Sequence, residues 1–281
     1  MIVFAALAMA ALILCFPDIA TQAARSALNV WGHDIVPSLF PYMVLCKMMA
    51  SRLNRSAMPV VPLMATLGLM GGSPSGAAMV SVSSDRMSSR QCAAFSALTG
   101  TISPMFFLGT LHTWGINEEM CVRLLIAHVC GAGFACACAW RFVPAKKEAV
   151  ICANAEKSRI IDPITDSVQA VLGVGGCIVF FSVAASCVGF LFPFLSDGNC
   201  AFLHAVLEIA GGMRAFSLLG AMNMQRAVCM AALTGFSGLS ILTQNHLFLR
   251  DCEMTKRKLL VFALLRAVGS GAAMALLFSF M

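Results

Sequence analysis

The chain has 281 residues, of which 59% are hydrophobic and only 11% are charged. A soluble domain of this length carries about 25% charged residues, so the composition excludes an ordinary soluble protein. The net charge of +6 does not indicate nucleic-acid binding, because basic residues also collect beside membrane spans. The mean hydropathy of +0.86 and the recurring apolar runs indicate a polytopic helical membrane protein.

Apolar segments follow one another along the whole chain. In order, they are predicted at 2–17, 35–51, 57–82, 91–111, 120–142, 165–195, 200–222, 227–249 and 259–281. Backbone polar groups inside lipid must be satisfied within their own segment, so each of these is predicted to be helical. The first segment lacks the positively charged start and the cleavage site of a signal peptide, and it is interpreted as a retained span.

Two of these segments are interrupted near their centres. Residues 71–76 read Gly-Gly-Ser-Pro-Ser-Gly, and Glu208 is followed by Gly-Gly-Met-Arg at 211–214. Gly and Pro disfavour a continuous helix, and irregular backbone at membrane depth is tolerated only where it is buried in protein or lines a cavity. Segments 57–82 and 200–222 are therefore predicted to be re-entrant hairpins, which leaves seven transmembrane helices.

The basic residues support this arrangement. With seven spans and two hairpins, 14 of the 19 Lys and Arg residues fall on one side of the membrane. These are Lys47, Arg52, Arg55, Arg86, Arg90, Arg141, Lys146, Lys147, Lys157, Arg159, Arg250, Lys256, Arg257 and Lys258. The opposite side holds Arg25, Arg123, Arg214 and Arg226. By the positive-inside rule the first side is cytoplasmic, which places the N-terminus in the cytoplasm and the C-terminus outside.

A short internal repeat predicts the same map. Ala-Leu-Thr-Gly at 97–100 recurs at 232–235, and the Gly-Gly pair at 71–72 recurs at 211–212. Each copy reads span, hairpin, span, span, so the second copy must be inverted in the membrane. Inverted repeats with broken helices that meet near the midplane are typical of secondary transporters. The predicted fold is therefore all-α and polytopic, with about seven transmembrane helices plus two re-entrant hairpins in two inverted repeats.

This fold divides the chain into four predicted parts. They are an N-terminal span with an interfacial segment at 1–34, a first repeat at 35–142, a basic cytoplasmic linker at 143–164 and a second, inverted repeat at 165–281.

The interrupted segments also supply the candidate binding groups. Half-helix N-termini at the first hairpin suit a carboxylate or phosphate, with a ligand-free tight turn as the alternative. Residues 99–104 and 234–238 are predicted to be unwound, although their hydroxyls can instead bond back to their own helices. The predicted substrate-binding residues are Gly71, Gly72, Ser73, Pro74, Ser75, Gly76, Thr99, Gly100, Thr101, Ser103, Glu208, Gly211, Gly212, Arg214, Thr234, Gly235 and Ser237.

Four charged or titratable residues within apolar segments carry separate expectations. Glu208 is a candidate for binding a coupling proton or cation, since an acid at membrane depth is costly unless it functions or is paired with a residue such as Arg214. Arg214 could attract an anionic substrate or cap its hairpin. Arg266 is predicted to snorkel or to pair with a packed acid. His128 is predicted to be a hydrogen-bonded packing residue.

Three runs resemble motifs of the nucleoside-recognition, or Gate, domain proteins: Ile-Val-Pro-Ser-Leu-Phe-Pro at 35–41, Gly-Gly-Ser-Pro-Ser-Gly-Ala at 71–77 and Thr-Gly-Thr-Ile-Ser-Pro-Met-Phe at 99–106. Within that family the chain looks most like the sporulation integral membrane protein YlbJ group, whose members are implicated in moving dipicolinic acid across a forespore membrane. The resemblance implies a secondary transporter of a small, dipicolinate-like anion in a bacterial inner or forespore membrane. Related concentrative nucleoside transporters place their substrate between two hairpin tips and two broken helices.

Two other functions remain as alternatives. The first is a non-transporting membrane subunit or scaffold in sporulation. The second is a rhomboid-like serine protease, suggested by Gly-Phe-Ser-Gly at 235–238 and Ala-His-Val-Cys-Gly at 127–131, although rhomboids place the serine before the histidine. We expect no enzyme activity, cofactor, metal or nucleic acid. The expected partners are the lipid bilayer, a small-molecule substrate, a coupling proton or cation, and either a second copy or a membrane subunit.

Overall fold

The computed structural model describes residues 2–53, 60–84, 87–145, 162–252 and 254–279, and these ranges contain helices but no β-strand. The α-helices are α1 Ile2–Cys15, α2 Pro17–Asn29, α3 Val36–Leu53, α4 Val60–Gly71, α5 Ser75–Val82, α6 Ser89–Thr99, α7 Glu118–Phe142, α8 Pro163–Phe190, α9 Asp197–Leu207, α10 Ile209–Ser217, α11 Met224–Phe236, α12 Gly238–Leu249 and α13 Lys256–Phe278. A first π-helix at Val30–Ile35 precedes α3, and a second at Phe106–Leu111 follows α6. The all-helical prediction is confirmed.

Some of the sequence predictions fall outside the described residues. They concern Arg55, Arg86, Lys146, Lys147, Lys157, Arg159, the start of segment 57–82 and most of the linker 143–164.

Four helices in the described part of the chain are long and apolar enough to cross a membrane: Glu118–Phe142, Pro163–Phe190, Met224–Leu249 and Lys256–Phe278. Each coincides with a predicted span. A fifth candidate is the pair Ala6–Cys15 and Pro17–Met49, which is bent by 102° and contains the predicted spans 2–17 and 35–51. The predicted span 91–111 is divided between α6 and the second π-helix. Length and composition therefore support four to five spans, and the count of seven stays a prediction.

The longer helices begin where the sequence supplies a capping side chain. Ser88 and Gln91 form a capping box at the start of α6, in which Gln91 Oε1 accepts from Ser88 N at 2.9 Å. At the start of α7, Asn117 Oδ1 accepts from Met120 N at 2.8 Å. Asp162 caps α8 in the same way. Such caps satisfy N–H groups that have no partner inside the helix, so these local signals fix where each helix begins.

Both interrupted segments fold as pairs of short helices. In the first hairpin, residues 60–82, α4 and α5 pack against each other around a turn at 72–74. In the second hairpin, residues 197–217, α9 and α10 pack against each other around Glu208. The sequence-predicted interruptions therefore lie at the tips of two helical hairpins.

Two arginine contacts identify the two ends of the helical bundle. Arg123 Nη1 donates to Leu277 O at 3.1 Å, which joins the start of α7 to the end of α13. Arg90 Nε donates to Val143 O at 2.9 Å, which joins the start of α6 to the end of α7. The charge pattern assigned Arg90 and Arg123 to opposite sides of the membrane, and they lie at opposite ends of α7. The orientation of these ends in a membrane stays a prediction.

The two hairpins extend from opposite ends of this bundle. Near the open end of the first hairpin, Val80 lies in an apolar cluster with Leu259, at the start of α13. Near the open end of the second, Arg214 Nη1 lies 3.8 Å from Asp34 Oδ2, which also accepts from Trp114 Nε1 at 2.8 Å, just before α7. The two tips therefore enter the bundle interior from different directions.

Candidate functional site

The tip of the first hairpin packs backbone against backbone on the break that follows α6, residues 100–103, here called the first break. Ser73 N donates to Thr101 O at 2.7 Å. Gly72 has a φ of +62°, and a Cβ placed on it would lie only 2.5 Å from Ser103 N. Glycine is required at this position both for its left-handed backbone and for the close approach.

Asn245 of α12 ties these two segments together. Its Oδ1 accepts from Ser73 Oγ at 2.8 Å, and its Nδ2 donates to Gly100 O at 3.0 Å. The Asn245 side chain is buried, so both hydrogen bonds are shielded from competing water. One amide therefore links the first hairpin tip, the first break and α12.

The tip of the second hairpin is organised by Glu208, which is 1% exposed. Its Oε1 accepts from Ala210 N at 2.9 Å and its Oε2 accepts from Gly211 N at 2.6 Å. Glu208 is therefore the N-cap of α10, and its carboxylate occupies the helix end that would otherwise attract an anion.

The second hairpin tip meets a second break, which lies at Ser237 between α11 and α12. Ser237 and the following Gly238 have φ values of +71° and +77°. A Cβ on Gly238 would lie 3.2 Å from Ile209 N, directly after Glu208. Of the predicted unwound segment 99–104, residues 100–103 are non-helical, whereas the predicted segment 234–238 is helical except at Ser237. A hairpin tip packs on each of these two breaks.

A cavity of about 60 Å³ lies where these elements converge. It is lined by Ile35, Ser38, Leu39, Ser73, Ile102, Ser103, Phe106, Thr110, Val174, Ile178, Glu208, Ile209, Ala210, Ser240, Ile241 and Gln244. This volume holds roughly four or five water molecules. The lining combines apolar side chains with five hydroxyls, one amide and one carboxylate, which suits a small polar ligand.

Three sequence-predicted site residues reach this cavity: Ser73, Ser103 and Glu208. The other predicted residues of the hairpin tips and breaks do not line it. They are Gly71, Gly72, Pro74, Ser75, Gly76, Thr99, Gly100, Thr101, Gly211, Gly212, Thr234, Gly235 and Ser237.

Several of the predicted hydroxyls bond back to their own helices. Thr99 Oγ1 donates to Phe95 O at 2.9 Å, and Thr234 Oγ1 donates to Ala231 O at 3.0 Å. Ser237 Oγ donates to Thr234 O at 3.0 Å. These three hydroxyls therefore bond back to their own helices, which is the alternative to substrate binding.

Arg214 lies away from the cavity. Its side chain is 45% exposed and faces Asp34 at the open end of the second hairpin. It does not pair with Glu208, whose two oxygens are held by α10.

Four polar residues of the cavity could not be predicted from sequence patterns: Ser38, Thr110, Ser240 and Gln244. Ser38 and Thr110 lie 3.1 Å apart, Oγ to Oγ1, beside the two π-helices. Gln244 Oε1 is buried. π-Helical turns are frequent at functional sites, but no residue pattern in this sequence predicts them.

The expectation for Arg266 is wrong in the described part of the chain. Its side chain is 2% exposed and does not snorkel, and no described acid forms an ion pair with it. It donates instead to the carbonyls of Ala97 and Gly235.

The serine and histidine of the protease alternative do not form a hydrogen-bonded pair. Ser237 Oγ donates to backbone carbonyls of its own helix. His128 is buried against Phe107, with ring centroids 4.9 Å apart. The packing role expected for His128 is observed.

These features define a helical membrane protein with two hairpins that meet two broken helices at a cavity with a mixed apolar and polar lining. No protein-family model matches the chain, and no solved structure matches it. The chain is similar to the sporulation integral membrane protein YlbJ of Bacillus subtilis (strain 168), with 22% identity over an alignment that covers 92% of this chain and 77% of the relative. The chain is therefore homologous to a sporulation integral membrane protein. Its assignment to the nucleoside-recognition domain proteins stays a prediction.

Proposed function

We propose that this chain is a secondary transporter of a small anionic metabolite in a bacterial inner or forespore membrane. The observation that carries the proposal is the convergence of two hairpin tips and two broken helices on one cavity, whose mostly apolar lining includes seven polar residues. Broken helices at membrane depth are tolerated where they line a cavity, and they form the substrate sites of many secondary transporters. A passive membrane anchor has no need for such an interior.

The lining of the cavity indicates how an anion would be bound. Among the described lining residues Glu208 is ionisable, and no Lys, Arg or His is present. Two like charges about 5 Å apart repel by about 3 kcal/mol at an effective dielectric constant of about 20. An anionic substrate therefore enters together with a proton or cation that neutralises Glu208. Hydroxyls such as Ser103 and Ser240 then donate hydrogen bonds to its oxygens.

The order of the elements supports the predicted repeat. Each half contains a helix, a hairpin, a broken helix and a final helix, and the two hairpins extend from opposite ends of the bundle. An inverted repeat with seven crossings generates this arrangement, with a cytoplasmic N-terminus and an external C-terminus. Movement of one repeat-derived bundle against the other would then open the cavity to each side in turn.

A membrane subunit without transport activity is the second candidate. The small volume of the cavity, about 60 Å³, is the observation that favours it. The name of the relative describes a sporulation membrane protein and includes no substrate. For transport, the cavity must enlarge during the cycle.

Uptake into proteoliposomes tests the proposal. Labelled dipicolinate and labelled nucleosides are supplied to vesicles that contain the wild type, Glu208→Gln or Glu119→Gln, with and without an inward proton gradient. Glu119 lies on the surface of α7, where it pairs with Arg123, and its side chain is 63% exposed. It provides a control that loses the same charge away from the cavity.

The expected result is saturable dipicolinate uptake by the wild type and by Glu119→Gln, increased by the proton gradient. Glu208→Gln is expected to lose this gradient dependence and most of the uptake. If the folded wild type takes up neither compound, the transport proposal is refuted and the subunit role is favoured. Uptake of nucleosides alone would retain the transporter and refute the anionic substrate.

A further inference from the structure

Arg266 binds the ends of both helices that lead into the breaks. Its Nε donates to Gly235 O at 3.1 Å, in the last turn of α11. Its Nη1 donates to Ala97 O at 3.1 Å, in the last turn of α6. These two carbonyls belong to the two copies of the Ala-Leu-Thr-Gly motif. A single buried side chain therefore contacts equivalent regions of the two broken helices.

The two carbonyls need a partner because their helices stop. The last four C=O groups of a helix receive no N–H from the next turn. The chain leaves the helical path after Thr99 in α6 and after Phe236 in α11. In the bundle interior, an unsatisfied carbonyl would cost a large part of its desolvation energy. Arg266 supplies donors to both ends from one planar group.

The charge of Arg266 is balanced by these same helix ends. No described carboxylate lies within ion-pair distance of its guanidinium. A helix C-terminus carries roughly half a negative charge, so two of them offset about one positive charge. If one helix end moved away alone, the guanidinium would keep only about half of this compensation. The balance therefore favours movements in which both helix ends stay with Arg266.

Close packing fixes the backbone of Arg266 as well as its side chain. A Cβ added to Gly131 of α7 or to Gly235 of α11 would in each case lie 2.6 Å from Arg266 O. Small residues thus let α7, α11 and α13 approach closely, as at many helix contacts in membranes. The guanidinium is held in place by the rigid contact between these helices.

We infer that Arg266 is a positioning residue that couples the two helix breaks, so that the cavity walls on both sides rearrange as one unit. Ser103 belongs to the first break, while Ser240 and Gln244 follow the second, and all three line the cavity. The role of this coupling in substrate transport rests on the proposed function. The coupling itself rests on the contacts of Arg266 and can be tested without transport.

Hydrogen–deuterium exchange of the full chain in lipid nanodiscs tests the coupling. Arg266→Gln, Arg266→Lys and the control Arg123→Gln are compared with the wild type. Arg123 is a suitable control because it also joins two helices through a backbone carbonyl, at the end of the bundle. Arg266→Gln is expected to raise exchange about ten- to hundredfold in both 98–104 and 234–240, as expected for lost hydrogen bonds to a charged group. Arg123→Gln is expected to leave both segments unchanged.

Arg266→Lys keeps the charge but lacks the planar fork, so it can hold one carbonyl well and not both. It is expected to raise exchange in at least one segment and to lower the maximal rate of dipicolinate uptake with little change in KM. Unchanged exchange in Arg266→Lys would overturn the inference even if Arg266→Gln does not fold. A rise confined to one segment in folded Arg266→Gln would overturn it as well. If both segments loosen together but the wild type transports nothing, the coupling stands and the transport proposal falls.

Discussion

Removal of the Glu208 side chain tests whether this carboxylate holds the second hairpin tip in its observed form. Glu208→Ala deletes both acceptors of the α10 cap, at Ala210 N and Gly211 N. Loss of an N-cap costs about 1 kcal/mol, and each buried N–H left without a partner adds about 1–3 kcal/mol. Because only part of that penalty remains after the tip relaxes, we expect a loss of about 2–4 kcal/mol in the free energy of unfolding. Glu208→Gln retains one oxygen and should lose about half as much.

The matched control is an N-cap that lies at the surface. Asn223 caps α11 by accepting from Arg226 N at 2.8 Å, and both residues contact solvent. Water can replace this cap, so Asn223→Ala should cost about 0.5–1 kcal/mol. The free energies are measured in mixed micelles by reversible unfolding in sodium dodecyl sulfate, followed by circular dichroism. A loss for Glu208→Ala no larger than that of Asn223→Ala would refute the buried-cap reasoning.

Three further substitutions are measured in the same unfolding assay. Gly72→Ala should lower the free energy of unfolding by about 3 kcal/mol or more, because it combines a left-handed backbone with a steric overlap. The control Gly115→Ala, at φ +85° in open space, should cost only about 1–2 kcal/mol. Equal costs would contradict the close packing at Gly72. Asn245→Ala should cost about 2–4 kcal/mol, since two buried partners lose their hydrogen bonds, and a change below about 1 kcal/mol would contradict the bridging role. Asp34→Asn should cost less than about 1 kcal/mol, an effect that fades in high salt, because the ion pair is long and partly exposed.

The positions of the hairpin tips and helix breaks could be predicted because their signals are local. Gly and Pro at 71–76, Gly100 with Pro104, and Gly238 after the break at Ser237 interrupt helices through their own backbone preferences. The burial of Glu208 could be predicted for a similar reason, since an acid within an apolar segment is conspicuous. Each of these inferences needs only the residue and its neighbours in sequence.

The remaining cavity residues could not be predicted because their role depends on contacts between distant helices. Ser240 lies on a helix whose sequence does not distinguish the cavity face, and Ser38 contacts Thr110 across 72 positions of the chain. The partners of Arg266 are backbone carbonyls, which every residue carries, so no side-chain pattern identifies them. The expected acid partner for Arg266 was wrong because two helix ends supply the compensating charge.

Protection of a single cysteine by ligand tests most directly whether substrate occupies this cavity. Ser240→Cys is introduced after the 13 native cysteines are replaced, and its maleimide labelling is followed in proteoliposomes with and without dipicolinate. Ser217→Cys, at the end of α10 and outside the cavity, is the control. At ten times Kd, dipicolinate is predicted to slow labelling at position 240 about tenfold, because only the free fraction reacts, and to leave position 217 unchanged. Unchanged labelling at position 240 while dipicolinate uptake continues would contradict the placement of the substrate in the cavity.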